Sequence, residues 1–171
     1  MAAVLLRHAK ARASVGYGGD LARTLDREGM EQAIVLASVL GQALAHEIPL
    51  RIITSTALRC EATVTPLSER FGVACEEDLR LVECASDEEL IELADLAHAT
   101  PGSLVLCGHA PSLGRLARVM LSSQAMIIAP SELQLGLASF LLFDFAVGSG
   151  RRLTSLARYG APRYRHVDLI G

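Results

Sequence analysis

A short run of apolar residues near the start of the chain ends abruptly in two basic side chains. Val4, Leu5 and Leu6 are followed directly by Arg7 and His8. A run of this length is too short to span a membrane, and it predicts the first, central strand of a buried sheet. Ligands of such sheets bind beyond the carboxyl ends of the strands, which is where the basic pair stands. Taken alone, the pair favours a structural role, in which the arginine reaches solvent and the histidine caps the strand.

A glycine-containing connection and an amphipathic helix follow this strand. Residues 9–22 include three glycines, a composition typical of a mobile surface loop. Asp26 is suited to accept hydrogen bonds from the first free amides of a helix, and apolar residues then recur at three- and four-residue spacing until Pro49. We therefore expect a helix that connects two strands and packs on the sheet.

A second strand and helix come next. Residues 51–54 form a β-branched run that predicts a strand, and Ser55 is a candidate N-cap for the helix after it. Arg59 lies one turn into that helix, so its side chain can reach the same sheet edge as the first basic pair. Pro66 has no amide hydrogen, which predicts a kink or a break within residues 63–67.

The middle of the chain repeats this alternation of strand and helix. Residues 73–81 predict a third strand with its approach, and residues 87–97 predict an amphipathic helix whose acidic side chains face solvent. Residues 103–107 form the clearest buried strand, which is followed by His109 and by an apolar-periodic helix through Leu121. His109 therefore stands at a strand end in the same way as the first histidine.

The last part of the chain predicts strands that form one edge of the sheet. They cover residues 133–135, 138–147 and 153–158, and the glycine-rich residues 148–150 join the last two strands as a hairpin. The tail from Gly160 is expected to be a frayed, solvated end.

Composition limits the classes of protein to which this chain can belong. Its 171 residues, with 51% hydrophobic and 20% charged residues, fit one compact domain over residues 1–171, and no segment has the length and composition of a linker. A net charge of -3 gives no basic footprint for nucleic acid, and no apolar run is long enough to span a membrane. We therefore expect a cytoplasmic protein that binds neither nucleic acid nor a membrane.

Two residue types exclude several chemistries. Lys10 is the only lysine and has no glycine-rich surroundings, so a phosphate-binding P-loop is absent and ATP-driven kinase chemistry is disfavoured. Cys60, Cys75, Cys84 and Cys107 lack the spacing of zinc ligands and are interpreted as reduced structural thiols. The sequence supports no metal site.

The basic residues at three predicted strand ends can surround one small anion. Arg7, Arg59 and His109 supply fixed positive charge, which is what the transfer of a phosphoryl group requires. The cationic neighbours of His8 would hold its ring partly neutral, so one ring nitrogen keeps a lone pair for attack on phosphorus. These residues together reverse the structural interpretation of the first basic pair.

The order and spacing of these residues resemble the histidine phosphatase superfamily, the phosphoglycerate-mutase-like enzymes. The shared motifs are Leu5-Leu6-Arg7-His8-Ala9, Ser55-x-x-x-Arg59-x-x-x-Thr63 and Gly108-His109-x-Pro111. Two further patterns, Arg7-His8-Ala9-Lys10 and Asp20-x-x-Arg23-x-Leu25, are similar to the small SixA-type phosphohistidine phosphatases. The resemblance implies a three-layer α/β/α sandwich with a mostly parallel central sheet and no large cap insertion.

The resemblance also implies roles for individual residues. His8 would be the nucleophile that forms a phosphohistidine intermediate. The phosphate pocket would consist of Arg7, Arg59 and His109, with Arg23 and Ser55 as further phosphate-binding residues.

Glu83 falls where larger members of the superfamily keep an acid that protonates the leaving oxygen. A solvated loop acid explains this residue equally well from the sequence. This chain departs from the pattern of the superfamily at two other positions. Ala9 stands where most members have glycine, and Pro66 disturbs the helix that carries Arg59.

The sequence therefore predicts a phosphatase that needs no metal and no cofactor. Its expected partner is a protein phosphorylated on histidine. A small phosphoester as substrate and a non-catalytic phosphate-binding module are the alternatives.

Overall fold

The computed structural model describes residues 1–13, 19–46, 49–122, 133–146 and 152–160, together with the backbone of residues 163–167. Within these residues, seven strands form one sheet: β1 (Ala2–Arg7), β2 (Leu50–Thr54), β3 (Cys75–Glu77), β4 (Ser103–Gly108), β5 (Phe140–Phe145), β6 (Leu153–Gly160) and β7 (Arg163–Val167). The helices are α1 (Arg27–Ala43), α2 (Leu58–Phe71), α3 (Asp87–Ala99) and α4 (Ala110–Ser122). None of these helices is long and apolar enough to cross a membrane.

The sheet has a parallel part and an antiparallel part. Its strand order is β3-β2-β4-β1-β5-β6-β7. The strands from β3 to β1 in this order are parallel to one another, whereas β5, β6 and β7 pair antiparallel with their neighbours. The α/β fold class is confirmed, and the predicted pairing of the last strands as one side of the sheet is confirmed for β5 and β6.

Two hydrophobic clusters cover the two faces of the sheet and give the molecule three layers. Val4 and Leu6 of β1 belong to the cluster that contains the buried sides of α1 and α2. Ala3 and Leu5, which point to the opposite face, belong to the cluster that contains α3 and α4. The alternation along one strand thus places β1 between the two helical layers, as expected for a central strand.

The start of α1 follows the sequence signal closely. The Asp26 side chain accepts a hydrogen bond from the Gly29 amide at 2.8 Å, which is the predicted cap. A Cβ atom at position 29 would lie only 1.9 Å from the carbonyl oxygen of Lys10. Gly29 therefore allows the helix to begin directly against the segment that follows the first strand.

The start and the course of α2 differ from the prediction. Ala57, not Ser55, is the N-cap residue, and its side chain makes no capping bond. The helix continues through Pro66, so of the predicted kink or break the break is wrong, and the kink stays a prediction. Val64 and Leu67, on either side of this proline, are buried in the core, and this tertiary packing outweighs the single backbone bond that proline removes.

Three other predicted elements need correction. The third strand covers only residues 75–77 and is followed by a 3₁₀ turn over Leu79–Leu81. Residues 133–135 form no strand, because Leu133 and Leu135 are buried by packing on one helical layer and not by strand pairing. Residues 163–167, expected in a frayed tail, form β7 and pair with β6.

Two predicted loops lie wholly or partly outside the described residues. They are the glycine-rich hairpin at 148–150 and the part of the first connection that contains Gly16 and Gly18.

Strand order and register bring the predicted site residues to one edge. The central strands run in the order β2, β4, β1, so their carboxyl ends are neighbours. Arg7 lies opposite Gly108, and Thr54 lies opposite Cys107. The residues that directly follow these strands, which include His8 and His109, therefore begin at nearly the same level.

Candidate active site

A pocket of about 270 Å³ opens at this carboxyl edge of the sheet. Its lining comprises Arg7, His8, Ala11, Asp20, Arg23, Arg59, Glu83, His109, Ala110, Pro111 and Leu137. Six of the seven residues predicted for the site are among them, and Ser55 is the exception. Residues that are more than a hundred positions apart in the chain thus share one cavity.

His8 is held as a neutral ring with one nitrogen facing the pocket residues. Its Nδ1 lies 2.8 Å from the carbonyl oxygen of Ala9, and because a carbonyl can only accept, Nδ1 carries the hydrogen. The lone pair is consequently on Nε2, which lies 3.4 Å from Nε of Arg59. Burial, together with the nearby His109 ring and the positive charges of Arg59 and Arg7, lowers the pKa of His8 to about 4, against the opposing effect of the Ala9 carbonyl.

The backbone after His8 is anchored to α2 by a buried threonine. The amide of Ala9 donates to Oγ1 of Thr63 at 2.9 Å, and the Thr63 hydroxyl donates to the carbonyl of Arg59 at 2.6 Å. This connection links the nucleophile candidate to the first turn of the helix that carries Arg59. Thr63 was part of the sequence pattern, but a geometric role for it could be seen only in three dimensions.

Arg59 is nearly fully buried and contacts both histidines. Its side chain is 4% exposed. Its Nε atom donates toward Nε2 of His8, and its Nη2 atom lies 3.3 Å from Nδ1 of His109. The guanidinium also donates to the backbone carbonyl and to the carboxylate of Asp20, each at 2.6 Å.

His109 is oriented from both sides of its ring. A guanidinium can only donate, so the contact with Arg59 makes Nδ1 the acceptor and leaves the hydrogen on Nε2. Nε2 lies 3.2 Å from Oγ of Ser55 and 3.7 Å from Sγ of Cys60. Ser55, predicted as a phosphate-binding residue, is thus buried behind the His109 ring and does not line the pocket. The rings of His8 and His109 have centroids 5.2 Å apart.

Arg7 has a donor that the surrounding protein does not satisfy. Its Nη1 donates to the carbonyl oxygen of Leu135 at 2.9 Å, whereas its buried Nε makes no hydrogen bond with the described part of the chain. Burial lowers the pKa of Arg7, and the charge of Glu83 opposes this shift. A bound anion would give the buried Nε a partner.

Arg23 and Glu83 lie at the exposed side of the pocket. Arg23 donates through Nε to the carbonyl of Arg12 at 2.8 Å and through Nη1 to Oδ1 of Asp20 at 2.9 Å. The backbone at Glu83 is held by the hydroxyl of Ser112, which donates to its carbonyl at 2.6 Å. The Glu83 side chain is therefore carried by a fixed backbone at the pocket wall.

Asp20 is the one charged residue in the pocket lining for which the sequence predicted no role. Its carboxylate contacts both Arg23 and Arg59. The spacing Asp20-x-x-Arg23 was the available signal, but the contact with Arg59 spans 39 positions and could not be inferred from it. Among the described residues, no group of three or more His, Cys, Asp or Glu side chains could hold a metal ion.

We expect His8 to titrate well below the range of ordinary histidines. Its pKa of about 4 lies below the usual 6.5, so the ring stays neutral from about pH 4 upward and gains a proton only as the pH falls through that value. Histidine ring signals followed by NMR between pH 3.5 and 8 test this, with the His8 signal assigned by its loss in His8→Ala. A midpoint near 6.5 would contradict the buried, neutral state.

A family model and a search of curated proteins gave different results. The model described as "Histidine phosphatase superfamily (branch 1)" matches residues 3–101, which include His8 and Arg59. The search of curated proteins found no match.

Several solved structures share the fold at low sequence identity. A protein from Agrobacterium tumefaciens, named as a SixA phosphohistidine phosphatase, is 21% identical with a TM-score of 0.68, and the match covers 99% of this chain and 97% of that one. A protein histidine phosphatase SixA in complex with tungstate is 18% identical with a TM-score of 0.67, covering 90% and 93%. A mycobacterial glucosyl-3-phosphoglycerate phosphatase is 20% identical with a TM-score of 0.64, covering 90% and 95%.

Proposed function

The chain is a phosphatase that belongs to the histidine phosphatase superfamily (branch 1), and from this premise we propose that it removes a phosphoryl group from phosphohistidine on a protein. The reaction would pass through a covalent intermediate on His8 and would need no metal. The observation that carries this proposal is the Nδ1 contact of His8 with the Ala9 carbonyl, which leaves the Nε2 lone pair beside Arg59.

The proposed reaction has two displacement steps at phosphorus. In the first step, Nε2 of His8 forms a bond to phosphorus while the bond to the substrate nitrogen breaks. In the second step, a water oxygen attacks the phosphohistidine, inorganic phosphate leaves, and His8 returns to its neutral form. Arg7, Arg59 and His109 would stabilise the charge on the three equatorial oxygens in both steps.

The surface around the pocket supports a protein as substrate. Leu137 lines the pocket and is 39% exposed, and Leu21, which follows Asp20 in the chain, is 51% exposed. An exposed apolar side chain in the lining of a basic pocket, with a second one next to Asp20 in the chain, favours a phosphoryl group that is presented on a protein surface over a free sugar phosphate. The relatives named SixA are in keeping with this substrate class.

Glu83 favours a second candidate function, the hydrolysis of a small phosphomonoester. Its side chain lines the same pocket as His8, where a carboxylic acid could protonate a leaving oxygen. The similarity to a glucosyl-3-phosphoglycerate phosphatase supports this alternative. A non-catalytic phosphate-binding module, the third candidate, would form no covalent intermediate.

The variant Glu83→Gln separates the two substrate classes. A neutral imidazole leaves phosphorus without help from the protein when its other nitrogen carries a proton, whereas an alkoxide needs a proton donor. We therefore expect the variant to lose about 10²-fold in kcat/KM on glycerol 2-phosphate and less than about 3-fold on a phosphohistidine peptide. Steady-state phosphate release measures both values.

The exposed Glu88→Gln on α3 is the matched control, and it should leave both activities unchanged. Equal losses of the Glu83 variant on both substrates would assign Glu83 to the phosphohistidine reaction as well. Wild-type protein that hydrolyses only the ester would exclude the protein substrate.

We also propose that residues 1–171 form one catalytic domain that works in the cytoplasm. The parallel strands and the antiparallel strands belong to a single sheet, because β1 pairs with β4 on one side and with β5 on the other. All four cysteines are free, including Cys60 and Cys107 in the core, which suits a reducing compartment. The proposed activity requires no cofactor and no nucleic-acid partner.

A further inference from the structure

The Arg59 guanidinium uses two different edges for its contacts. Its Nε–Nη2 edge faces the histidines, with Nε 3.4 Å from Nε2 of His8 and Nη2 3.3 Å from Nδ1 of His109. Its Nη1–Nη2 edge faces Asp20, with Nη1 2.6 Å from the backbone oxygen and Nη2 2.6 Å from Oδ2. The edge that a phosphoryl group would meet is therefore adjacent to the edge that Asp20 holds, and the two edges share Nη2, whose two hydrogens point to different partners.

Asp20 connects the two arginines on this side of the pocket. Its Oδ2 accepts from Arg59, while its Oδ1 accepts from Arg23 at 2.9 Å. The Arg59 side chain is 4% exposed, so its bonds to Asp20 are shielded from water on the arginine side. Hydrogen bonds from Arg23 and Arg59 hold the pKa of the Asp20 carboxyl below its ordinary value.

We propose that Asp20 is a positioning residue that fixes the plane of the Arg59 guanidinium. Held at its outer edge, Arg59 presents two parallel N–H groups toward the space between His8 and His109. Such a fork matches two oxygens of a phosphoryl group, provided that the plane does not rotate. This inference rests on the proposed function, because it assigns Asp20 a part in binding the transferred group.

Two other roles for Asp20 make different predictions. If its carboxylate occupied the place of the phosphoryl group, its removal would strengthen anion binding. If it only anchored its loop to α2, its removal would lower thermal stability without changing the affinity for an oxyanion. The contacts favour positioning, because Asp20 bonds Nη1 and Nη2 of Arg59 and not Nε, which is the atom that contacts the nucleophile candidate.

The test compares Asp20→Ala with Asp20→Asn. Alanine removes both carboxylate oxygens, whereas the asparagine amide oxygen can still accept from Nη2 of Arg59. For Asp20→Ala we expect kcat/KM on p-nitrophenyl phosphate to fall about 10- to 100-fold, and the Kd for tungstate, measured by calorimetry, to rise by a similar factor. For Asp20→Asn the logarithm of each fold-change should be no more than about a third of the value for Asp20→Ala.

The control is Glu76→Ala, which removes a carboxylate that accepts two bonds from Arg51, at 2.7 and 2.6 Å, on β2 and β3. It should leave both measurements unchanged. Tighter tungstate binding by Asp20→Ala, or equal effects of alanine and asparagine, would overturn the positioning role, as would lower thermal stability with unchanged tungstate affinity. Tungstate binding requires no turnover, so it tests Asp20 even if wild-type protein hydrolyses none of the proposed substrates.

Discussion

Replacement of His8 by alanine is expected to abolish phosphatase activity, with a loss of about 10⁴-fold or more in kcat. The variant keeps the proposed phosphate-binding residues but lacks the atom that would bond to phosphorus. In the wild-type protein that atom is Nε2 of His8, whose lone pair faces Arg59 because Nδ1 donates to the Ala9 carbonyl. Phosphate release from p-nitrophenyl phosphate and from a phosphohistidine peptide measures the loss on both substrate classes.

The proposed covalent step has a direct test in the same pair of proteins. Wild-type protein quenched at alkaline pH, where phosphohistidine is stable, should carry one phosphoryl group on His8, and His8→Ala should carry none. His46→Ala is the control, because His46 is exposed in the turn that follows α1 and lies outside the pocket. Undiminished turnover by His8→Ala would exclude the proposed nucleophile, and binding without any phosphoenzyme would favour the non-catalytic module.

The strand ends were the part of this site that the sequence could predict. Apolar runs of the right length define β1, β2 and β4, and a polar residue follows each of them. Parallel strands that are neighbours present their carboxyl ends at one edge, so His8 and His109 were expected to meet. Their common pocket with Arg59 agrees with that expectation.

The contacts that orient these side chains could not be predicted, because they depend on distances across the fold. Ser55 has the residue type and position of a helix cap, but its hydroxyl lies against His109, which is 54 positions away. Asp20 sits in a connection whose composition indicates only a loop, and nothing in its local sequence indicates a bond to Arg59. The α2 helix likewise passes through Pro66, because burial of its neighbours is a property of the whole core.

The charges in the pocket explain how the proposed nucleophile can be neutral beside a proposed site for an anion. Arg7 and Arg59 remain cationic in the pocket, while the same burial and the same charges keep the proton off His8. A phosphoryl group would meet two arginines in the same pocket as an unprotonated nitrogen. Loss of the Arg59 guanidinium should therefore weaken both the binding of the phosphoryl group and the attack on phosphorus.

Arg59→Lys is the second substitution with a large expected effect, a loss of about 10²- to 10³-fold in kcat/KM. Lysine keeps the positive charge but replaces the planar fork by a single ammonium group, which cannot contact His8, His109 and Asp20 together. Kinetics on p-nitrophenyl phosphate and calorimetry with tungstate measure the loss, and thermal unfolding reports whether the fold is intact. Arg51→Lys, which changes an equally bidentate arginine outside the pocket, should retain full activity. Near wild-type kcat/KM in Arg59→Lys would mean that charge alone serves the reaction, and the argument from guanidinium geometry would then be wrong.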